Sequence, residues 1–144
     1  MRYTIETEIE SPIETVSTLV GDPSRWEEWL EGIVSYEHVG GTPGMPGATS
    51  RLEFDNAGSN ITMHGTVLSR DLPDEFRQTM EAPHVLITIT TRLESLSPET
   101  TKYISEQEYE FTGLKNKLLG VVMRRPFKKQ TKRHVENLKQ LAER

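Results

Sequence analysis

The sequence predicts an α+β fold in a single domain, residues 1–144. It is a seven-stranded antiparallel sheet with two short helices after the first strand and a long C-terminal helix. Three observations carry this. Apolar and polar residues alternate with period two in segment after segment, and short turns separate the segments. Two proline-started stretches follow the first of these segments. The last thirty residues then switch to a helical pattern with few β-branched side chains.

The elements follow in chain order. In residues 2–9, Tyr3, Ile5 and Ile9 share one face, and Thr4, Glu6 and Glu8 share the other, as in a half-buried strand. Ser11-Pro12 reads as an N-cap and a first helical residue, with Glu14 completing a capping box. Ile13, Val16, Leu19 and Val20 have helical spacing, which predicts a helix over 12–20. Gly21 ends it, and Asp22-Pro23 starts a second short helix. There the two tryptophans of the chain, Trp26 and Trp29, lie three apart on one face. Such a pair reads as an anchor for a weak helix.

Strands are then expected at 33–39, 48–55, 61–70, 75–81, 85–96 and 101–112, with a hairpin turn at Asn56–Gly58. Short connections make them an antiparallel meander. "GGTPGMPG", residues 40–47, is a loop that reads as a plain connector or as a mobile rim. The final helix is expected over about 114–142. It carries two apolar stripes. Leu114, Leu118, Val121 and Val122 form one, and Phe127, Val135, Leu138 and Ala142 lie nearly opposite. Pro126 stands between them, so a kink there is expected to turn both stripes toward the sheet.

Composition narrows the chemistry. There are no cysteines, so disulfides and thiolate metal sites are excluded. No long apolar run suggests a membrane span or signal peptide, and the chain reads as soluble and cytoplasmic. The Asn60-Ile61-Thr62 sequon is then incidental. The four histidines are far apart and lack metal-pair spacing, and neither a nucleophile elbow nor a phosphate loop is present. No metal or cofactor is expected.

Charge is uneven. Residues 1–114 hold 7 Lys/Arg and 20 Asp/Glu, whereas residues 115–144 hold 10 and 2. The basic segment either complements the acidic body or meets an anionic surface through Arg125, Lys128, Lys129 and Lys132. No aromatic platform accompanies these charges, so nucleic acid is not an expected partner. The sequence does not give the oligomeric state.

Strand phase assigns the inner face of the sheet. In the last strand Thr101, Tyr103, Ser105, Gln107, Tyr109 and Phe111 share one side, and the charged residues share the other. Gln78 takes a similar place between Phe76 and Met80. Arg51 and His64 fall out of phase with their apolar neighbours and should face outward.

The order of elements resembles the START-related superfamily, also called helix-grip or SRPBCC. That superfamily includes lipid-transfer domains, polyketide cyclases and dehydrases, and plant pathogenesis-related allergens. The resemblance spans essentially the whole chain and rests on four stretches. They are "IESPIETVSTLVGDPSRWEEW", "GATSRLEF", "VLSRDLPDEF" and the terminal "HVENLKQLAER". It implies a curved sheet wrapped around the long helix, with a cavity between them and the tryptophans sealing one end.

An apolar small molecule such as a lipid, quinone, polyketide or terpenoid is the ligand this arrangement implies. The expected contacts are Phe54, Met63, Phe76, Met80, Ile89, Tyr103, Gln107, Tyr109, Leu118 and Val122. Met123 adds a further flexible contact. The cavity is expected between the last strand and the first half of the long helix. A cyclase- or dehydrase-like enzyme, in which a tyrosine or glutamine polarises a carbonyl, is the alternative. An interaction module docking through the basic helix is a third.

Overall fold

The computed structural model describes residues 1–56 and 58–144. Seven strands form one antiparallel sheet: β1 (Arg2–Ile9), β2 (Ile33–Gly40), β3 (Thr49–Asn56), β4 (Ser59–Asp71), β5 (Glu75–Ala82), β6 (Val85–Ser97) and β7 (Thr100–Phe111). Their order is β1-β7-β6-β5-β4-β3-β2. The meander β2–β7 is therefore as expected, and β1 closes it by pairing with β7, from Arg2↔Glu108 to Ile9↔Thr101. The expected turn at Asn56–Gly58 includes Ala57, which lies outside the described residues.

Burial follows the strand phase. Thr101, Tyr103, Ser105, Gln107 and Tyr109 are buried along β7 and alternate with more exposed neighbours. On the opposite face, Arg2 meets Glu106 and Glu108, Arg92 meets Glu75 and Glu106, and Lys102 meets Glu6. These exposed pairs mark the wet side and contribute little stability each. Arg51 and His64 are exposed there too, cross-strand neighbours on β3 and β4.

Helix α1 spans Ile13–Gly21. Ser11 does not cap it, and no capping box forms. Ser11 is instead buried, and its carbonyl accepts a 2.8 Å hydrogen bond from the Thr101 hydroxyl. Pro12 therefore becomes the N-cap, and the helix starts one residue later than expected.

The second helix is a 3₁₀ segment, Pro23–Glu28, with Asp22 accepting from the Ser24 amide at its start. Here the tryptophans find their role. A helix ends with four carbonyls that lack intrahelical partners. At the end of α1 all four are satisfied. Thr18 accepts from the Asp22 amide at 3.0 Å. Leu19 accepts from Trp29 Nε1 at 3.1 Å, Val20 from Trp26 Nε1 at 2.9 Å, and Gly21 from Arg70 Nη1 at 2.7 Å.

The same Arg70 nitrogen reaches Gly44 O at 2.9 Å, in the glycine-rich loop. Gly44 has φ +77°, and a Cβ there would stand 2.7 Å from Gly21 O. The loop is thus pinned at its middle, which fits a connector better than a free rim.

Helix α2 runs unbroken from Leu114 to Ala142, across Pro126. It buries only one stripe: Gly120, Thr131, Val135, Leu138 and Ala142, with Phe127 partly buried. On an ideal helix these positions fall within about a quarter turn of one another. A bend is therefore not needed to bring them onto the sheet. The other stripe is left in solvent, with Leu118 62% and Val122 73% exposed. The expectation that a kink at Pro126 packs both stripes is incorrect. Gly120 shows why: a Cβ there would lie 2.4 Å from the Phe111 ring, so this side of the helix rests on the end of β7 and Leu118 and Val122 point away.

Candidate functional site

A cavity of about 190 Å³ lies between the concave face of the sheet and the second half of α2. β3 and β4 contribute Phe54 and Met63, β5 contributes Gln78 and Met80, and β6 contributes Ile87, Ile89 and Thr91. Tyr103, Ser105, Gln107 and Tyr109 come from β7, and Phe127, Gln130, Thr131, His134 and Val135 from α2. Trp26 and Trp29 close one end, so the residues that finish α1 also wall the cavity.

Seven of the ten expected contacts meet here: Phe54, Met63, Met80, Ile89, Tyr103, Gln107 and Tyr109. Three do not. Phe76 is fully buried in the core, under the guanidinium of Arg70 at 5.8 Å from its ring centre. Leu118 and Val122 lie on the solvent side of α2, so the cavity adjoins the second half of the helix and not the first. Met123 is also absent from the wall.

None of the α2 residues in the wall is among the ten expected contacts, although Phe127 and Val135 belong to a stripe that the sequence shows as apolar, and Thr131 falls on it too. It lies four residues after Phe127 and four before Val135, on the stripe already read as apolar. The tryptophans' part in the wall depends on how the 3₁₀ segment folds back, and no local pattern encodes that.

Three polar groups of the wall, Gln107, Tyr109 and Thr131, form one network with Tyr3 behind them. Tyr3 Oη on β1 lies 2.7 Å from Thr131 Oγ1, 2.8 Å from Tyr109 Oη and 3.1 Å from Gln107 Oε1. Tyr109 Oη donates to Gln107 Oε1 at 3.0 Å, and Thr131 Oγ1 donates to Phe127 O at 3.2 Å. Five strands of sequence lie between Tyr3 on β1 and Gln107 on β7, yet the network ties β1, β7 and α2 at one point. Tyr109 also stacks on Phe127, centroids 5.2 Å apart and planes 3° from parallel, and on Phe111 at 6.2 Å.

Gln107 differs from the others. Its Oε1 is surrounded by hydroxyls, while its Nε2 makes no protein hydrogen bond among the described residues. No fully buried side-chain nitrogen or oxygen lacks a partner there. Nε2 therefore keeps contact with open space, and the cavity is the open space that Gln107 lines.

Electrostatics set what these groups can do. Burial pushes the Tyr109 phenol far above its ordinary value, and the neighbouring Tyr3 adds to the shift. Burial also raises Tyr3 and Tyr103, against the opposing pull of nearby hydroxyls: Thr131 and Tyr109 for Tyr3, Thr91 and Ser105 for Tyr103. All three phenols stay protonated near neutral pH and act as hydrogen-bond partners, not bases. Burial holds His134 below its usual value, opposed by the Glu31 carbonyl 3.2 Å from Nε2. A neutral imidazole bonded to a backbone carbonyl has no carboxylate to orient it as a base. No cluster suited to a metal ion occurs among the described residues.

The comparisons with known proteins agree with this architecture. A family model described as polyketide cyclase/dehydrase and lipid transport matches residues 1–143. No curated protein matches the chain at the sequence level. Among solved structures, the ZhuI aromatase/cyclase from Streptomyces sp. R1128 superposes with a TM-score of 0.81 at 15% identity, covering 100% of this chain and 94% of that one. Major latex-like protein 151 from Panax ginseng gives 0.74 at 12% identity, covering 99% and 97%. The di-domain ARO/CYC BexL gives 0.79 at 16% identity, covering 97% of this chain and 45% of that one. At such identities the likeness is one of fold.

Proposed function

The chain belongs to the polyketide cyclase/dehydrase and lipid transport family, and on that premise we propose that it binds a compact apolar molecule bearing one oxygen acceptor. The carrying observation is the Gln107 amide. It has a free donor facing a hollow whose apolar wall is Met63, Met80, Ile87, Ile89 and aromatic rings, with Gln78, Thr91, Ser105, Gln130 and His134 among its other polar contacts. Apolar walls with a few fixed polar groups are the usual form of a small-molecule site. A ligand carbonyl or hydroxyl near Nε2 would gain a hydrogen bond there, while the walls take its hydrocarbon.

The volume favours a small ligand, since drug-sized sites enclose roughly 300–1,000 Å³. The two methionines can change rotamer and widen the space. Binding is favoured over proton-transfer catalysis because the phenols are too weakly acidic and, among the described residues, no carboxylate hydrogen-bonds to His134.

The test uses two probes that differ in the carbonyl oxygen, 1-acetylnaphthalene and 1-ethylnaphthalene, titrated by their displacement of ANS. The ketone should bind more tightly, and Gln107→Leu should abolish the difference while leaving the ethyl compound bound. Equal affinity in the unaltered protein, or no saturable ANS signal, would overturn the reading. Native mass spectrometry of the freshly purified chain would identify a retained natural ligand.

A further inference from the structure

The first half of α2 is unlike the rest of the molecule. Leu114, Leu118, Leu119, Val121 and Val122 are each more than half exposed. Leu114, Leu118, Val121 and Val122 project within about 100° of one another on an ideal helix and make one apolar face, with Leu119 to its side beyond Lys115. Its tertiary ties are sparse. Among the described residues, every side-chain hydrogen bond between α2 and β1 or the segment around the tryptophans involves Phe127 or a residue after it. The ties include Thr131 to Tyr3, Arg133 to Glu31 and Asn137 to the Trp29 carbonyl.

The same face continues as a basic one. On an ideal helix Arg125, Lys128, Lys129 and Lys132 project within about a quarter turn of the line through Leu114 and Leu118. Among the described residues, none of these four cations has a carboxylate within salt-bridge distance, although Arg133 beside them pairs with Glu31. The acidic body therefore does not neutralise them. No acidic residue occurs from 111 to 135.

We infer that this face docks the protein on an anionic phospholipid bilayer. Apolar residues followed by cations along one helix face match the depth profile of such a surface. Leu114, Leu118 and Val122 would enter the headgroup–acyl boundary, and the cations would reach the phosphates. A second copy is disfavoured because it would bring like charges together. Nucleic acid is disfavoured because it offers nothing to bury aliphatic side chains and the face carries no aromatic platform. An acidic protein remains as an outcome of the test. The inference stands apart from the cavity reading, although the two sites adjoin. An open crevice of about 610 Å³ beside this helix half is lined by Phe111, Lys117, Val121 and Arg124, and it shares Tyr109 with the cavity.

The test is co-sedimentation of the full chain with two vesicle types, phosphatidylcholine alone and phosphatidylcholine with one-third phosphatidylglycerol. Binding should occur to the anionic vesicles at low salt, weaken as salt screens the charges, and be slight on neutral ones. Lys129→Gln with Lys132→Gln should lower the partition coefficient roughly tenfold or more, since each cation near such a surface contributes substantially. Leu118→Ser with Val122→Ser should lower it as well. All four positions are exposed, so both variants should keep the parent melting temperature. Three results would overturn the inference: no binding to anionic vesicles, equal binding to both types, or variants that bind like the parent. A dimer in light scattering that Leu118→Ser with Val122→Ser dissolves would assign the face to a second copy. Retention on a polyglutamate matrix without vesicle binding would assign it to an acidic protein.

Discussion

Tyr3 Oη and Thr131 Oγ1 lie 2.7 Å apart, joining the first strand to the last helix across 128 residues of chain. The bond is buried and connects with Gln107 and Tyr109, so the phenol of an edge-strand residue holds α2 over the cavity. Tyr3→Phe should remove this hub and leave its partners short of a donor or acceptor. A loss of about 1–3 kcal/mol is expected in chemical denaturation. An unchanged midpoint would show that the network contributes nothing to docking the helix.

Trp29 caps α1 through its indole nitrogen, and phenylalanine cannot. Trp29→Phe should strip the partner from the Leu19 carbonyl and thin one wall of the cavity. The expected cost is at least about 1 kcal/mol from the lost hydrogen bond alone. Amide exchange in the last turn of α1 should rise more than exchange in β6 or β7. Uniform exchange changes would count against a capping role.

Gln107→Trp should fill the cavity. The variant should fold, as read by circular dichroism, and lose saturable ANS binding. Retained ANS binding would place the probe elsewhere, for example in the open crevice beside Phe111.

Pro126 is exposed, and the sheet-facing stripe of α2 needs no bend. Pro126→Ala restores a backbone donor to the carbonyl of residue 122. It should stabilise the protein by up to about 3 kcal/mol on the intrinsic helix scale. A fall in melting temperature would mean that the proline shapes the docked half after all.

His134 makes a pH prediction. Its folded pKa is held below the unfolded value of 6.5, so the unfolded chain binds the extra proton first. Its contribution is therefore intact above about pH 6.5 and is lost as pH falls from there toward the depressed folded value. Glu31 opposes the shift and Arg133 reinforces it. Denaturation at pH 7.5 and 5.5 should show lower stability at the acid end, and His134→Gln should flatten the difference. An equal slope in that variant would assign the effect to other groups.

Much of this molecule is written locally. Alternation along β7 identified the inner face because a strand sends neighbours to opposite sides whatever it packs against. The same rule placed Tyr103, Gln107 and Tyr109 in the cavity wall and put Arg51 and His64 outside it. Asp22-Pro23 marked a helix start because its capping chemistry lies within three residues.

Only the tertiary structure decided which side of α2 meets the sheet. Two apolar stripes were visible in the sequence, and periodicity says that residues share a face without saying what covers it. The choice came from distant contacts: Gly120 on Phe111, Thr131 on Tyr3 and Leu138 in the core. Leu118 and Val122 look like core residues because a local pattern cannot tell burial in a protein from exposure on its surface. Ser11 likewise had the chemistry of a cap, but a long-range bond from Thr101 drew it inward. Element type is set by short-range sterics and hydrogen bonding, whereas the partner of each face is set by the summed burial of the whole chain.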